Sequence, residues 1–361
     1  MIDVIIPAYN SHKTIDKTLM SLCIQRLAKY LHVLIVDDGS EEPYDYLIQR
    51  FSEYLGSLKI IRVDQNKGVG YCRQLALRST RQPWIYFLDS DDYMVSSFAF
   101  NRLYEATLMS KNTKMVFATI QQELYPCTNL GTRLETDVFR DPNGNMLYLH
   151  GKLYNRAGIM DNGITFPNTR SNEDIAFNLE CFTLFKEDEI AKITSTVAET
   201  ICNTSSITRS TTSTRVYKLN NCNENMDAYV AMMHANKNVR RRLQENVNSK
   251  TCRYLIEKYA DIFMKGIMAD FDDPDEQKLY QYINLVYYRD IVKPILTANG
   301  TNKKIDERYV NASNFNHWGE AWYSLPRPDI NVWSETHLKE FDEDEFKRLC
   351  DKYLTGDGYI G

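Results

Sequence analysis

Short apolar runs alternate with longer amphipathic segments through the first hundred residues. The apolar runs predict strands at Val4–Ile6, His32–Val36, Lys59–Val63 and Trp84–Leu88. The segments between them predict helices near residues 11–30, 44–54 and 69–80. Strands that alternate with helices at this spacing indicate βαβ crossovers, and therefore an α/β fold with a mainly parallel sheet.

This alternation stops near Val216. The later segments with a helical pattern are residues 226–235, 252–268 and 277–292. The stretch between Thr204 and Arg215 is rich in Ser and Thr, which predicts a loop or hinge. We therefore predict an α/β domain over residues 1–215 and a mostly helical domain over residues 216–361.

Polar clusters follow three of the predicted strands. They are Ala8-Tyr9-Asn10, Asp37-Asp38 and Asp89-Ser90-Asp91-Asp92. In open α/β sheets, ligands bind beyond the carboxyl ends of the strands, so these clusters mark a candidate site. Five carboxylates on one rim would repel one another, and hard carboxylate oxygens are the ligands that Mg²⁺ and Mn²⁺ prefer. The sequence therefore predicts a divalent cation at this edge of the sheet.

Composition excludes several classes of protein. The chain has 361 residues, of which 43% are hydrophobic and 25% charged, and this length allows about two globular domains. No run approaches the roughly 18 apolar residues of a membrane span, and the N-terminus has no basic region before an apolar one, so we expect a soluble cytoplasmic protein without an integral membrane segment. The 8 cysteines have no metal-ligand spacing, which favours reduced thiols.

Charge is unevenly distributed. The formal net charge is −5, yet the run Lys237–Arg253 is strongly basic. This run is either a solvated helix face or a contact for a polyanionic acceptor. The acidic segments 261–276 and 335–353 would be repelled by anionic lipid, which favours a soluble acceptor or one presented by a partner. The aromatic cluster around Trp318 and Trp322 would either pack in a core or stack on a sugar.

Four ordered motifs carry a family resemblance. They are Val4–Asn10, Val36–Ser40, Asn66-Lys67-Gly68 leading to Arg73, and Phe87–Asp92. With these motifs the chain resembles the family 2 glycosyltransferases of the GT-A fold. Fainter similarity continues through His150–Arg156, Phe166-Pro167, Glu173-Asp174 and Ser206–Arg209. The resemblance covers roughly residues 1–215 and does not extend to the C-terminal part.

The resemblance implies roles for individual residues. Those assigned to the nucleotide-sugar are Pro7, Ala8, Tyr9, Asp38, Gly68, Arg73, Asp89, Ser90, Lys152 and Arg209. Tyr9 would stack near the nucleobase, and Lys152 and Arg209 would contact the diphosphate. The metal, Mn²⁺ or Mg²⁺, would be held chiefly by Asp91 with Asp89 beside it. Asp174, next to Glu173, would be the general base.

The implied reaction is inverting transfer of a sugar from a nucleotide-diphosphate sugar, expected to be a UDP-sugar, to an acceptor hydroxyl. A metal ion and cationic side chains would stabilise the leaving diphosphate, and a carboxylate on the opposite side would remove the acceptor proton. The acceptor would be a saccharide or a phosphate-rich polymer. A phage-type glycosyltransferase acting on a hydroxymethylated DNA base is the alternative. The C-terminal domain would shape acceptor binding or form a homo-oligomer.

The same residues also fit structural roles and two further classes of protein. Asp37 and Asp38 could cap a helix, and Glu173 and Asp174 could be first-turn acids that favour the helix dipole. A non-catalytic nucleotide-sugar-binding scaffold would keep the nucleotide pocket but lose the acids, which this chain retains. A nucleotidyltransferase would normally have a Gly-rich phosphate loop early in the chain, and Pro7–Asn10 is not one.

Overall fold

The computed structural model of the protein describes residues 1–122, 149–167, 173–200, 263, 273–298 and 329–353. The chain divides into two compact units, residues 1–210 and 211–361. The predicted domain boundary at residue 215 falls outside the described residues and stays a prediction.

The first unit is built on one sheet of eight strands. The strands are β1 (Ile2–Ala8), β2 (Leu31–Asp37), β3 (Ser57–Arg62), β4 (Trp84–Phe87), β5 (Tyr93–Met94), β6 (Met115–Gln122), β7 (Lys152–Asn155) and β8 (Ile190–Thr200). Their order in the sheet is β3-β2-β1-β4-β7-β6-β8-β5. Strands β1 to β4 pair in parallel, whereas β7 is antiparallel to both β4 and β6. The predicted α/β class and the four predicted strands are confirmed.

Strand β1 is buried on both faces, which explains its continuous apolar sequence. Ile2, Val4 and Ile6 pack in one hydrophobic cluster, whereas Ile5 packs in a second cluster on the other face. Because successive side chains of a strand point to opposite faces, both sides of the sheet carry a core. At the carboxyl end of such a strand the chain leaves the buried sheet, and the loop that follows can contribute to a site.

Helices cover both faces of this sheet. They are α1 (Ile15–Cys23), α2 (Tyr46–Phe51), α3 (Val69–Ser79), α4 (Ala99–Thr107), α5 (Arg156–Asp161) and α6 (Glu173–Leu184). Apolar residues of α1, α2 and α4 join the cluster that contains Val4, and those of α3 and α6 join the cluster that contains Ile5. The helix predicted over residues 11–30 is shorter in the structure, because α1 ends at Cys23 and only a 3-10 turn follows at Ala28–Tyr30.

Two glycines shape the start of α3. Gly68 precedes the helix with φ +92°, a conformation that L side chains rarely adopt. A Cβ at Gly70 would lie 2.5 Å from the backbone oxygen of Pro167 and 3.3 Å from Cβ of Glu173. The first turn of α3 therefore packs directly against Pro167 and against Glu173 at the start of α6.

The described part of the second unit is helical. It contains α7 (Pro274–Tyr287), a π-helical turn (Tyr288–Val292), α8 (Lys293–Ala298), α9 (Ile330–His337) and α10 (Glu343–Tyr353). Leu279, Ile283 and Leu349 are buried in its core. The helix predicted over residues 277–292 lies within α7 and the π turn, whereas residues 226–235 and nearly all of 252–268 lie outside the described residues. Among the helices described in both units, none is long and apolar enough to cross a bilayer.

Candidate functional site

Asp38 joins three segments at the carboxyl end of β2. Its backbone N–H donates to the carbonyl of Ala8 at 2.8 Å, at the end of β1. Its carboxylate accepts hydrogen bonds from the backbone N–H groups of Lys67 (2.7 Å) and Gly68 (2.9 Å). Asp38 is 4% exposed, so the carboxylate mainly fixes the turn that begins α3. The nucleotide-sugar contact that the resemblance implies for Asp38 stays a prediction.

Asp37 is a structural residue in this arrangement. Its fully buried carboxylate accepts from the backbone N–H of Ser40 at 2.9 Å and from Nη1 of Arg62 at 2.8 Å. These two bonds connect the turn after β2 with strand β3. Asp37 therefore does not cap a helix, as one alternative from the sequence proposed, because its carboxylate binds Ser40 and Arg62 instead.

Tyr9 stands at the open end of β1. Its side chain is 52% exposed, whereas Ala8 before it is buried and Pro7 is half-buried. Asn10, which follows it, has φ +48° and uses its side-chain oxygen to accept the N–H of Glu41 at 3.0 Å. The backbone on both sides of Tyr9 is therefore held, while its ring is open to a ligand.

Arg73 is buried between two acids from distant parts of the chain. It projects from α3 and is 4% exposed. Its Nη2 donates to Oδ1 of Asp89 at 2.6 Å, and its Nη1 donates to Oε1 of Glu173. The guanidinium thus links the turn after β4 to the first turn of α6. A direct contact between Arg73 and the nucleotide stays a prediction, since both ends of the guanidinium already pair with carboxylates.

The residues after β4 form a tight turn. The backbone N–H of Asp92 donates to the carbonyl of Asp89 at 3.1 Å, which is the hydrogen bond of a four-residue β-turn. Ser90 and Asp91 occupy the two central positions, and the carbonyl of Ser90 accepts from Oγ1 of Thr18 at 3.0 Å. The first and fourth residues of the turn are therefore brought close together, and Asp91 lies at its tip.

His150 meets both ends of this turn. Its Nε2 lies 2.8 Å from Oδ2 of Asp92 and 3.3 Å from Oδ2 of Asp89. Burial alone would lower the pKa of His150, but the two carboxylates outweigh it and raise the pKa to about 10. Ligand atoms of Asp89, Asp92 and His150 all lie within 4.8 Å of one another, so these three residues could hold a metal ion. Two carboxylates and an imidazole suit Mn²⁺ better than Mg²⁺, which prefers oxygen ligands.

The sequence analysis counted Asp92 among the acids of the rim but assigned it no individual role, and it assigned no role to His150. The D-x-D spacing directs attention to Asp89 and Asp91, and only the turn geometry shows that Asp89 and Asp92 converge. The repulsion expected among the carboxylates is relieved by groups of the protein itself. Hydrogen-bond donors face Asp37, Asp38, Asp89 and Asp92, so their accumulation does not by itself demand a cation.

Glu173 and Asp174 begin α6, as the helix-dipole alternative expected. Glu173 is 5% exposed, and burial together with nearby acids raises its pKa despite the contact with Arg73. Asp174 is half-buried, and its Oδ1 accepts the N–H of Ile175 at 2.8 Å. Burial raises the pKa of Asp174 as well. A raised pKa makes a carboxylate a better proton acceptor.

Lys152 lies beneath the site, in β7. Its side chain is fully buried, with Nζ 4.8 Å from the ring centroid of Phe117 and 3.5 Å from the carbonyl of His150. Burial lowers its pKa to about 7, although Asp174 acts in the opposite direction. The diphosphate contact expected of Lys152 stays a prediction. Arg209, the basic run Lys237–Arg253 and the Trp318/Trp322 cluster lie outside the described residues.

Most of the first unit matches a known protein family. Residues 3–155 match the family model described as Glycosyl transferase family 2, which confirms the resemblance seen in the motifs. The chain is 28% identical over 190 residues to poly(ribitol-phosphate) beta-N-acetylglucosaminyltransferase TarS of Staphylococcus aureus, covering 50% of this chain and 32% of TarS. It is 27% identical over 202 residues to the poly(ribitol-phosphate) beta-glucosyltransferase of Bacillus spizizenii, covering 53% of this chain and 31% of that protein. The chain therefore spans about a third of each relative's length in these matches.

Solved structures agree on the fold. The crystal structure of S. aureus TarS 1–349 with UDP-GlcNAc aligns with a TM-score of 0.61 and 18% identity, covering 88% of this chain and 91% of that one. The same TarS fragment with UDP aligns with a TM-score of 0.58. At this identity the likeness shows the fold alone, and the fold is GT-A.

Proposed function

Because residues 3–155 of this chain are a family 2 glycosyltransferase domain, we propose that the protein transfers a sugar from a UDP-sugar to a hydroxyl of a polyol-phosphate polymer. The observation that carries the proposal is the convergence of Asp89, Asp92 and His150 at the carboxyl edge of a GT-A sheet, close to the acids that begin α6. In this proposal residues 1–215 perform the transfer, and residues 216–361 shape acceptor binding or oligomerisation.

The donor end of the site is proposed at the carboxyl ends of β1 and β2. The exposed ring of Tyr9 offers a stacking surface for a uracil base, between Ala8 and the turn that Asp38 holds through Gly68. The two TarS structures, with UDP and with UDP-GlcNAc, support uridine as the nucleotide. Family membership supports sugar transfer, and the identity of the sugar is left to experiment.

A divalent cation is proposed at the turn after β4, held by Asp89, Asp92 and His150. The donor set fits Mn²⁺, and the family resemblance implies Asp91 together with Asp89 for the same ion. Bound there, a cation supplies charge that stabilises the leaving diphosphate. His150 would have to lose its proton to bind it, since metal ligands must be deprotonated. Arg73 keeps Asp89 oriented toward the site through the bond at 2.6 Å.

Asp174 is the proposed general base. An acceptor hydroxyl must lose its proton as it attacks, and a half-buried carboxylate with a raised pKa suits this step. Glu173 does not take this role, because it is 5% exposed and paired with Arg73. Direct displacement from the side of Asp174 inverts the anomeric centre, so a UDP-sugar with an α linkage would give a β-linked product.

The acceptor is proposed from the two relatives, both named as poly(ribitol-phosphate) transferases. The basic run Lys237–Arg253 supports an acceptor with repeating phosphates, since cations attract such a polymer without reading its sequence. Hydroxymethylated DNA is the second polyanion to test, because the same charges would attract it.

The proposal is tested by supplying UDP-GlcNAc or UDP-glucose, Mn²⁺ and poly(ribitol phosphate), and by following UDP release and the anomeric configuration of the product by NMR. We expect β-linked product from the wild type. Asp174→Asn should bind UDP-sugar as the wild type does but transfer about 100-fold more slowly or worse. Asp161→Asn, which changes an exposed acid on α5, is the matched control.

Three results would contradict the proposal. Absence of turnover with both donors and every acceptor would remove the transferase function. Transfer by Asp174→Asn at the wild-type rate would remove the base assignment. Transfer to hydroxymethylated DNA but not to polyol phosphate would replace the acceptor with the DNA alternative.

A further inference from the structure

The outer face of α1 and the turn after it has an unusual composition. Among residues 13–30 the exposed side chains are all either basic or large and apolar: Lys13, Lys17, Met20, Ile24, Arg26, Lys29 and Tyr30. Met20 is 59% exposed and Ile24 is 62% exposed. The acid of this segment, Asp16, is half-buried and pairs with Arg50 at 2.5 Å. Positive charge and aliphatic surface are therefore presented together.

The exposed apolar residues are not part of an unfinished core. Ile15, Leu19 and Leu22, on the opposite face of α1, are fully buried against the sheet. The end of the helix is fixed, because Nε2 of Gln25 donates to the carbonyls of Ser21 and Ser96, both at 2.8 Å. The helix therefore already has its buried face, and Met20 and Ile24 are displayed on a rigid support.

The same surface extends to the start of α4. The guanidinium of Arg26 lies 4.7 Å from the ring centroid of Phe98, and Phe98 is 45% exposed. The backbone N–H of Arg26 also donates to the carbonyl of Ser97 at 2.9 Å. At the far edge, Lys29 donates to the backbone carbonyl of Glu53, an exposed acid. We call Met20, Ile24 and Phe98, with the cations Lys17, Arg26 and Lys29, the basic apolar surface.

Three kinds of partner could cover this surface: a second copy of the chain, a nucleic acid or a lipid bilayer. A second copy of the chain, related by a two-fold axis, would bring the same cations face to face. A nucleic acid would satisfy the cations but leave Met20 and Ile24 without an apolar partner. An anionic bilayer satisfies both, since lipid phosphates attract the cations and the aliphatic side chains enter the acyl boundary. We propose that the basic apolar surface docks this protein on an anionic lipid bilayer.

Docking would place the bilayer beside the turn that carries Asp89 and Asp92. Oγ1 of Thr18 in α1 donates to the carbonyl of Ser90 at 3.0 Å, and Nζ of Lys17 lies 3.7 Å from the ring centroid of Tyr93. The sequence disfavoured a lipid surface because of acidic segments in the second unit, whereas this surface belongs to the first unit. The inference does not rest on the proposed function, because it uses no residue of the reaction.

Vesicle flotation of the full chain tests this inference. We expect the wild type to float with phosphatidylcholine vesicles that contain about 30% phosphatidylglycerol, to remain behind with pure phosphatidylcholine, and to lose binding as salt rises. The double variant Met20→Gln, Ile24→Gln should lower the bound fraction about fivefold or more. Val332→Gln removes a side chain that is 61% exposed in the second unit and should bind as the wild type does.

A second pair of variants separates local charge from net charge. Arg26→Gln with Lys29→Gln removes two cations from the basic apolar surface and should weaken flotation. Lys59→Gln with Arg78→Gln removes two exposed cations from β3 and α3 and should not. Thermal melting and turnover of UDP-sugar with a soluble acceptor should be unchanged in all four variants, so loss of docking is distinguished from loss of folding or of catalysis.

Failure of the wild type to float with anionic vesicles would overturn the inference, as would equal weakening by both charge pairs. A concentration-dependent dimer that Met20→Gln, Ile24→Gln abolishes, without lipid binding by the wild type, would assign the surface to a second copy instead.

Discussion

Nη2 of Arg73 lies 2.6 Å from Oδ1 of Asp89, while Nη1 of the same guanidinium contacts Glu173, a residue 100 positions further along the chain. One buried cation therefore connects the proposed metal side of the site to the helix that carries the proposed base. Its position depends on three elements at once: α3, the turn after β4 and the first turn of α6.

Replacing Arg73 should damage folding and catalysis together. Arg73→Met leaves two carboxylates without their shared cation, which should lower the free energy of unfolding by about 3–5 kcal/mol. Arg73→Lys keeps the charge but cannot contact both acids in the geometry of a guanidinium, so we expect kcat to fall more than the donor KM changes. Urea unfolding and steady-state kinetics measure both effects. Arg78→Met, which alters an exposed arginine of the same helix, should change neither.

The two acids that follow Ser90 can be separated by experiment. Asp92→Asn should weaken Mn²⁺ binding about tenfold or more, because Asp92 faces Asp89 and His150 across the turn. Asp91→Asn should weaken it less. Calorimetric titration of Mn²⁺ into each variant is the measurement, with urea unfolding to confirm that both are folded. The reverse order of affinities would assign the ion to Asp91, as the D-x-D spacing predicts.

Tyr9 offers a test of the donor pocket that does not disturb the fold. Its ring is 52% exposed, so Tyr9→Ala should leave the midpoint of urea unfolding unchanged. Loss of a stacking partner for the base should weaken UDP binding by about 1–3 kcal/mol, roughly 5- to 150-fold. Tyr54→Ala removes a ring that is 50% exposed elsewhere and should leave UDP affinity unchanged. Equal UDP affinity in both variants would remove Tyr9 from the pocket.

Lys152 should make stability depend on pH. Burial lowers its pKa to about 7 from an ordinary value of 10.5, so between these values the unfolded chain binds more protons and the wild type gains stability as pH rises. Lys152→Met removes this cost. At pH 6 we expect the free energy of unfolding of this variant to exceed that of the wild type by on the order of a few kcal/mol. The difference should shrink toward pH 10. Urea unfolding across this range measures it. A donor KM raised in the same variant would support the diphosphate contact instead.

Gly70 should not tolerate a methyl group. A Cβ at this position would lie 2.5 Å from the backbone oxygen of Pro167, which cannot move aside as a flexible side chain can. Gly70→Ala should therefore lower the free energy of unfolding by about 1–3 kcal/mol and loosen the contact between α3 and α6. Gly158→Ala is the control, because the three atoms nearest to its Cβ, at 3.3 to 3.4 Å, all belong to the Lys114 side chain. Equal urea midpoints for the two variants would contradict the prediction.

Local patterns in the sequence were sufficient for the fold class and for the edge of the sheet at which the candidate residues gather. The apolar runs of β1, β2 and β4 and the polar residues after them define a parallel sheet with Tyr9, Asp38 and Asp89 at one edge. This inference succeeds because strand direction in a βαβ unit is fixed, so every carboxyl end falls on the same side.

Which side chains meet at that edge was decided by tertiary structure. Asp92 rather than Asp91 faces His150 because of the turn after β4 and the antiparallel pairing of β7, which brings the residues before Lys152 back to β4. Arg73 reaches Glu173 because Gly70 lets α3 approach Pro167 and the start of α6. Periodicity and motif spacing describe neighbours along the chain, whereas these contacts join residues far apart in sequence, and only the packing of helices and the register of strands determine them.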